Sequence, residues 1–377
     1  MIADRRRLLT GLAALPLAGL LPRVAFAQDG ADAALDEVFA TAAPPAMAAA
    51  IISDGAIRWS GVRGVRRTGE PDLATLDDRW HLGSNTKAMT AAVYARLVEQ
   101  GRARWGLPLA EAFPELTLDA GWTGAAVDDL MHHRAGLLDP AVMGREWLIA
   151  ARSDTRTLPE QRAALAARAL TAAPTGPRGA FAYGNANYIL VGAAIERITG
   201  APWEDAMRSE LYAPLNLTSA GFGPPPGRDN PWAHRMIGET RTAIPPEHPG
   251  ADNPAALGPA GTAHMSLADY ARFVSAVMGG APGWLSADSL SRLTTPPASD
   301  TPPAYACGWG VREQPWGGVG GPGPVLGHDG SNTMWHCTVA AAPRRKGAVI
   351  VLANDGPTGR AACSAMTSRL VPLAFAP

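Results

Sequence analysis

A serine and a lysine three residues apart, Ser84 and Lys87, are the pair best suited to chemistry in this chain. Lysine is rare here, because 31 of the 33 Lys and Arg residues are arginine and the only other lysine is Lys346. The apolar residues after Lys87 predict a helix from about Ser84 to Gln100, and residues three apart on a helix are neighbours. A lysine amine beside a serine hydroxyl can activate it as a nucleophile. We therefore expect nucleophilic catalysis at Ser84.

The choice of lysine at position 87 fits the role of a base. In the first turn of a helix, its charge is opposed by the positive end of the helix dipole, and burial disfavours the charge further, so both effects favour a neutral amine. An arginine guanidinium does not deprotonate in proteins. The alternative is that Ser84 caps the helix and Lys87 is a solvated surface residue. The scarcity of lysine and the apolar helix favour catalysis.

A second stretch, containing Tyr183 and Asn185, precedes another predicted helix. A tyrosine and an asparagine two residues apart can face one site from a turn. The tyrosine could relay a proton to a leaving group, and the asparagine amide could bind an acyl group. Taken alone, the pair also fits a tyrosine packed on its helix and an asparagine cap.

A third stretch, His328-Asp329-Gly330-Ser331, leads into a predicted strand. Its glycine lets the backbone approach a ligand closely. The N–H groups of Ser331 and Ser84 could together bind an oxyanion. Taken alone, this stretch also fits an ordinary turn.

Strand-like patterns occur at both ends of the chain, and helical patterns lie between them. A β-hairpin is predicted over residues 46–65, with its turn at Ser53-Asp54-Gly55. Further strands are predicted at 306–311, 334–341 and 348–353, and a loop over 224–261. Helices are predicted at 127–137, 158–170, 187–199, 203–211, 265–278 and 360–370. This order predicts an α/β (α+β) fold, in which both termini build one sheet and the middle forms a helical lobe.

Together and in this order, the three motifs resemble the serine β-lactamase and penicillin-recognising family. The likeness is greatest to the class C β-lactamase-like branch, which includes D-alanyl-D-alanine carboxypeptidases, D-aminopeptidases and some esterases. It extends to residues 133–137 and to Pro259-Ala260-Gly261. The resemblance implies a β-lactamase/transpeptidase-like fold with an antiparallel sheet flanked by helices.

The resemblance also implies roles for individual residues. Ser84 would be the nucleophile, Lys87 and Tyr183 the base and acid, and Asn185 a ligand of the acyl amide. The third motif would be His328-Asp329-Gly330, where β-lactamases of the family have Lys-Thr-Gly and its carboxypeptidases His-Thr-Gly. An aspartate facing the site would repel a substrate carboxylate. We therefore expect an uncharged ester or amide, or a substrate with a free amine, and activity that depends on the titration of His328 near neutral pH.

The first 27 residues predict a secretory signal, with arginines at 5–7, a short apolar run and a small-residue cleavage site at Ala25-Phe26-Ala27. Paired arginines before two leucines also resemble a twin-arginine signal. The apolar run is shorter than the ~18 residues of a spanning helix, which disfavours a membrane anchor. We expect a periplasmic or secreted protein with one catalytic domain, residues 28–377. Its α/β lobe would comprise 28–85 and about 300–377, and its helical lobe about 86–299.

Composition excludes other classes of function. A net charge of −1 and a pI near 6.7 indicate no nucleic acid or anionic membrane partner, so the expected partner is a small molecule or short peptide. The sequence contains neither CxxC nor HExxH, and the adjacent His132 and His133 would point apart on a helix or strand, so we expect no metal and no cofactor. Three cysteines, Cys307, Cys337 and Cys363, allow at most one disulfide without indicating which.

The leading hypothesis is an exported serine hydrolase that cleaves an ester or amide of the β-lactam, D-amino acid peptide or carboxylic ester class through an acyl-enzyme on Ser84. The alternative is a catalytically slow or silent penicillin- or peptide-binding protein of the same fold. An α/β-hydrolase is disfavoured because no G-x-S-x-G elbow occurs in the sequence.

Overall fold

The computed structural model describes residues 23–299 and 302–376, with side chains from residue 28 onward. The predicted leader lies outside the described residues up to position 22, and the described chain begins within helix α1. In the described part of the chain the strands are β1 Ala46–Ser53, β2 Ala56–Gly64, β3 Arg79–His81, β4 Gly221–Phe222, β5 Ala233–Ile237, β6 Thr240–Ile244, β7 Ala263–Ser266, β8 Gly310–Gly318, β9 Gly321–Gly330, β10 His336–Ala342 and β11 Gly347–Ala353.

The helices connect these strands and form most of the middle of the chain. Over the same residues they are α1 Arg23–Ala42, α2 Thr86–Glu99, α3 Leu109–Ala112, α4 Val127–Met131, α5 Asp139–Val142, α6 Arg145–Ala150, α7 Leu158–Leu170, α8 Asn185–Thr199, α9 Trp203–Met207, α10 Gly258–Gly261, α11 Leu267–Ser275, α12 Ala287–Thr294 and α13 Gly359–Ala374.

The main sheet is antiparallel and has the strand order β2-β1-β11-β10-β9-β8. Its strands come from the two ends of the chain, which confirms the predicted fold class. Strand β1 consists of small and β-branched apolar residues and is buried along nearly its whole length, because both faces of the sheet are covered. Helices α1 and α13 pack on one face, and the helical lobe packs on the other.

Helix α2 lies at the centre of the helical lobe and is buried on almost every side. Helix α8 packs against it, and the backbone of α10 crosses near both. At Gly192 of α8 a Cβ would lie 2.2 Å from the ring of Pro259, so the absence of a side chain lets α8 approach α10. This packing brings α2, α8 and α10 together at one end.

The predicted hairpin, the helix over 158–170 and the helix ending at Thr199 are confirmed. The prediction of uninterrupted loop over 224–261 is wrong, because β5 and β6 form a hairpin there, with Ile237 paired to Thr240. The strand predicted at 306–311 is also wrong in its bounds. Strand β8 begins at Gly310 and continues to Gly318, where the many glycines concealed the strand pattern.

Two predicted helices have different bounds in the structure. The helix over 127–137 ends at Met131, because His133 adopts a left-handed conformation with φ of 57°. The helix over 265–278 begins at Leu267, since Ser266 is its N-cap and the preceding residues pair as strand β7. Among the described residues, no helix is long and apolar enough to cross a membrane.

The helical lobe contains a buried arginine, Arg162, whose charge is balanced by two glutamates. Arg162 of α7 is fully buried and donates hydrogen bonds to Glu196 of α8 and to Glu204 of α9. Burial raises the pKa of Glu196, an effect that the Arg162 guanidinium opposes. Replacing the arginine would leave two carboxylates without their cation in a region shielded from water.

We predict that Arg162→Ala lowers the free energy of unfolding by about 3–5 kcal/mol, because it removes one side of a buried ion pair. Urea unfolding followed by circular dichroism measures this loss. The matched control is Arg156→Ala, which removes an exposed ion pair with Asp154 and should leave the unfolding midpoint unchanged. Equal midpoints for the two variants would contradict the assignment.

Candidate active site

The side chain of Lys87 joins three segments that are far apart in the sequence. Its Nζ lies 3.0 Å from Ser84 Oγ, 2.8 Å from Asn185 Oδ1 and 2.8 Å from the carbonyl oxygen of Ala260. Lys87 is fully buried. It is therefore not a solvated surface residue, and its amine has polar partners in place of water.

Ser84 sits in a 3₁₀ turn, Gly83–Asn85, immediately before α2. The helix has Asn85 at its N-cap position, and no side chain caps it by a hydrogen bond. Ser84 therefore does not act as a helix cap, and its hydroxyl is directed to the Lys87 amine. The i to i+3 spacing in the sequence places the two groups together, as expected from helical geometry.

Asn185 is free to contact Lys87 because another residue caps its helix. The two carboxylate oxygens of Asp139 accept hydrogen bonds from the backbone N–H groups of Asn185 and Ala186, each at 2.8 Å. A carboxylate at a helix N-terminus satisfies free N–H groups and interacts favourably with the helix dipole. The asparagine amide consequently points to the amine instead of back to its own helix.

Tyr183 lies at the same place, with its ring centroid 4.9 Å from Lys87 Nζ. Its side chain is partly exposed and borders the cavity that also contains Ser84. The ring of His133 packs against it, with centroids 4.5 Å apart. Within the described residues, the Tyr183 hydroxyl has no hydrogen-bond partner, so it is available to a molecule in the cavity.

His328 lies at the end of β9 and faces the aromatic residues around Lys87. Its Nε2 is 2.9 Å from the hydroxyl of Tyr305, and its ring centroid is 6.1 Å from that of Tyr183. Burial, with the nearby Lys87, lowers the pKa of His328 to about 4. The expectation of a histidine that titrates near neutral pH is therefore wrong, because the ring is partly buried among aromatic side chains and lies near the Lys87 amine.

Asp329 follows on the same strand and borders the cavity with an exposed carboxylate. Thr338 on β10 donates a 2.6 Å hydrogen bond to its Oδ1, and His336 Nε2 lies 3.4 Å from the same oxygen. The interaction with His336, together with the Thr338 hydrogen bond, lowers the pKa of Asp329 to about 2. The cavity therefore contains a negative charge at neutral pH.

Gly330 and Ser331 pass directly beside the Ser84 turn. A Cβ on Gly330 would lie 1.9 Å from the carbonyl oxygen of Leu82, and one on Gly83 would lie 2.3 Å from the backbone nitrogen of Ser331. Gly83 also has a positive φ of 51°. These two glycines let the third motif and the serine turn touch through their backbones.

A buried polar chain connects the same two segments. His81 accepts a hydrogen bond from Gly83 N–H at Nδ1, and its Nε2 lies 2.8 Å from Asp252 Oδ2. The other oxygen of Asp252 accepts a 2.8 Å hydrogen bond from Asn332 Nδ2. Because all three side chains are buried, this chain fixes the segment after Ser331 relative to the segment before Ser84.

The cavity at this site has a volume of about 630 Å³. Ser84, Tyr183, Asp329 and Ser331 all border it, together with His328. Three of the sequence motifs thus meet at one opening. Asn185 lies behind this opening, with its amide oxygen on Lys87.

Sequence reasoning missed four contributors to the site: Asp139, Asp252, Tyr305 and the carbonyl oxygen of Ala260. Each acts over a long separation in the chain, and nothing local distinguishes such a residue from a surface or core residue. The segment Pro259-Ala260-Gly261 was part of the family resemblance, but that gave no role to its carbonyl.

The histidines and cysteines outside the site have other surroundings. His132 Nε2 lies 3.4 Å from the sulfur of Cys307, and burial raises the pKa of that thiol. The three cysteines are all free and buried. Over the residues that the structure describes, no cluster of histidine, cysteine and acidic side chains could hold a metal ion.

The antiparallel sheet with its helical lobe defines a β-lactamase/transpeptidase-like fold. A family model named Beta-lactamase matches residues 31–371, which is most of the chain. The chain belongs to the Beta-lactamase family, and its relatives include hydrolases.

Two curated relatives illustrate the range of the similarity. The Unguisins hydrolase ungD' of Aspergillus campestris is 25% identical over 343 residues, covering 87% of this chain and 61% of that protein. Penicillin-binding protein 4 of Amycolatopsis lactamdurans is 27% identical over 327 residues, covering 83% of this chain and 81% of that protein. The chain thus spans about three fifths of the length of the fungal hydrolase.

Solved structures share the fold. A structure of SurE superposes with a TM-score of 0.72 at 24% identity, covering 93% of this chain and 76% of that chain. An octameric penicillin-binding protein homologue from Pyrococcus abyssi has a TM-score of 0.72 at 22% identity, covering 90% and 76%. A D-stereospecific amidohydrolase from Streptomyces sp. has a TM-score of 0.69 at 23% identity, covering 91% and 98%.

We predict that Gly330→Ala destabilises the protein by at least about 1–3 kcal/mol, because the new Cβ would overlap the Leu82 carbonyl and force the two motif segments apart. Chemical denaturation measures the loss. The matched control is Gly321→Ala on the same strand, where a Cβ would meet no atom within 4 Å. A Gly330→Ala protein as stable as the control would show that the segments are not in tight contact.

We also predict that stability falls as the pH is lowered from about 7 to about 4. Burial lowers the pKa of His132, His264 and His328 to about 4. Between that value and about 6.5 the unfolded chain binds protons that the folded chain does not, so each histidine contributes up to about 1.4 kcal/mol per pH unit of destabilisation. Urea midpoints at about pH 7.5, 6 and 5 test this. Midpoints independent of pH would contradict the buried neutral state.

Proposed function

We propose that the protein is a serine hydrolase that cleaves an ester or amide through an acyl-enzyme on Ser84. The single observation that carries the proposal is the position of Lys87 Nζ, 3.0 Å from Ser84 Oγ and held by two further oxygens. A neutral lysine amine has two N–H groups and one lone pair. If the N–H groups serve Asn185 and Ala260, the lone pair is directed to the Ser84 hydroxyl proton.

The proposed acylation moves one proton and exchanges one bond. Ser84 Oγ attacks the carbonyl carbon while Lys87 accepts the hydroxyl proton. The bond to the leaving oxygen or nitrogen then breaks as Tyr183, beside Lys87, donates a proton to the leaving atom and is reprotonated from the amine. A water molecule hydrolyses the resulting ester and regenerates the Ser84 hydroxyl.

The oxyanion formed in each step would be bound by the backbone N–H groups of Ser84 and Ser331. Support comes from the close passage of the two segments at Gly83 and Gly330 and from the buried chain through Asp252 that fixes them. Donors fixed in advance need no reorganisation as the negative charge develops. Losing one such donor costs about 100- to 1000-fold in rate.

The substrate is proposed to lack a carboxylate next to the scissile bond. The cavity contains the ionised Asp329, and bringing a second negative charge there would be unfavourable. An uncharged ester or amide, or a substrate with a free amine, fits this charge. The hydrolase among the relatives supports the reaction type, whereas the substrate in its name is that of a longer protein.

We propose that the protein acts outside the cytoplasm, in the periplasm or after secretion. The support is the leader-like pattern of residues 1–27 in the sequence. The proposed partner is a small molecule or a short peptide, because the site is a cavity of limited volume.

The test is covalent labelling with a fluorophosphonate, read by intact mass. We expect one adduct on the wild-type protein and none on Ser84→Ala. Lys87→Arg should slow labelling by about 100-fold or more, because a guanidinium cannot accept the proton. The matched control is Lys346→Arg, made at the only other lysine, which should label like the wild type.

An equal adduct on Ser84→Ala would overturn the assignment of the nucleophile. Labelling of wild type without turnover of p-nitrophenyl esters would instead identify the alternative, a binding protein that acylates but does not deacylate. Circular dichroism of each variant separates loss of chemistry from loss of fold.

A further inference from the structure

The cavity at Ser84 continues well beyond the catalytic residues. It passes Asp329 and extends over the face of strands β8, β9 and β10 that is opposite the helical lobe. Its lining there includes Arg312, Gln314 and Trp316 of β8. We call this extension the sheet groove, defined by the cavity-lining residues of β8, β9 and β10.

A row of very small residues forms the floor of the sheet groove. Gly310, Gly327 and Ala340 lie side by side across three neighbouring strands. Side chains of alternate residues share one face of a sheet, so larger residues at these positions would fill the space above it. The low floor leaves room for a molecule to lie flat on the sheet.

The sheet groove belongs to a cavity that Tyr183, the proposed proton donor, borders and that Asn185, the proposed acyl ligand, does not border. Ser84 and Tyr183 both border the cavity, whereas Asn185 does not. In the proposed mechanism Tyr183 protonates the leaving atom, so the part of the substrate attached to that atom must lie on its side of Ser84. The sheet groove therefore receives the leaving group.

Asp329 is the first charge that a leaving group would meet there. The contacts with Thr338 and His336 both involve its Oδ1, and among the described residues its Oδ2 has no hydrogen-bond donor. Its pKa of about 2 keeps it ionised at neutral pH. A carboxylate oxygen without a donor, in the cavity that Ser84 also borders, favours a cationic partner.

Arg312, the other charged residue that lines the sheet groove, is too far from Asp329 to cancel its attraction for a cationic leaving group. Arg312 pairs with Val325, four residues along β9 from Asp329, which is about 13 Å at the rise of a strand. A compact leaving group would contact Asp329 without reaching Arg312. Of the two charged residues that line the sheet groove, Asp329 should therefore be the one that sets the charge preference for a compact leaving group.

We propose that the sheet groove is a leaving-group subsite that selects alcohol or amine leaving groups carrying a positive charge beside Asp329. This inference rests on the proposed function of Ser84 and gives that function a substrate class. The leaving group departs with the proton from Tyr183, and its cationic substituent stays in contact with Asp329 Oδ2 until release.

Three esters with one acyl group test the proposal. Phenylacetyl esters of 3-(aminomethyl)phenol, 3-methylphenol and 3-hydroxybenzoate present a cation, a neutral group and an anion at the same position. We expect kcat/KM, corrected for uncatalysed hydrolysis, to fall about threefold at each step, the size of one charge contact at an exposed site. The proposal would be overturned if the wild type showed the reverse order of kcat/KM for the three esters, or if substitution of Asp329 left the order unchanged.

Two substitutions at one position assign the preference. Asp329→Asn keeps an acceptor for Thr338 and should reduce the cation-to-anion ratio from about ten to near one. Asp329→Thr should favour the anion, because it removes the charge and adds a hydroxyl. The matched control is Glu313→Gln, which removes a carboxylate from the exposed edge of β8 outside the cavity and should keep the wild-type ratio.

A binding measurement separates this inference from the proposed function. Ser84→Ala protein, which cannot form the acyl-enzyme, should bind free 3-(aminomethyl)phenol more tightly than 3-methylphenol in calorimetry, and Ser84→Ala/Asp329→Asn should not. If labelling of Ser84 fails but this binding difference holds, the subsite stands and the nucleophile is wrong. If labelling succeeds and both phenols bind equally, the subsite is wrong.

Discussion

The structure around the site depends on one buried lysine. An amine withdrawn from water needs polar partners, and Lys87 obtains them from the turn before its own helix, from the start of α8 and from the backbone of α10. Removing any of the three would leave the amine with an unmet hydrogen bond in an apolar surrounding. The three segments must therefore meet at Lys87 for the amine to be buried, and the same meeting places its amine beside Ser84.

A second constraint joins the sheet to the helical lobe. The third motif on β9 and the serine turn before α2 contact each other through backbone, at positions where only glycine fits. The buried chain of His81, Asp252 and Asn332 fixes the same junction with oriented hydrogen bonds. Tight packing and directed polar contacts together hold the backbone at Ser331 against the Ser84 turn, as the proposed oxyanion site would require.

The charge of each titratable side chain that borders the cavity depends on how the fold surrounds that side chain. Burial keeps the His328 ring neutral, while hydrogen bonding keeps Asp329 ionised, so two adjacent residues of one strand respond to their surroundings in opposite directions. Tyr305 and His133 extend an aromatic surround behind them. The negative charge thus stands at the opening and the neutral rings behind it, which suits a substrate without a carboxylate.

Local patterns in the sequence predicted many of the helices and strands and the contact between Ser84 and Lys87. The i to i+3 spacing of Ser84 and Lys87, the apolar periods of α7 and α8 and the turn at Ser53-Asp54-Gly55 depend only on neighbours in the chain, so the sequence predicted them. The order of the predicted strands and helices indicated the fold class, which the family match and the strand order confirm. The β5–β6 hairpin and the start of β8 were missed, because glycine-rich and aperiodic stretches carry little local signal.

Only the tertiary structure decided what surrounds those elements. Asp139 caps α8, Ala260 offers its carbonyl to the lysine, and Tyr305 meets His328 across long separations that no local rule encodes. The pKa of His328 moved away from neutrality for the same reason, since burial is a property of the folded chain and not of the motif. The sequence therefore indicated which residues belong to the candidate site, while the packing of the folded chain decided their protonation and their hydrogen-bond partners.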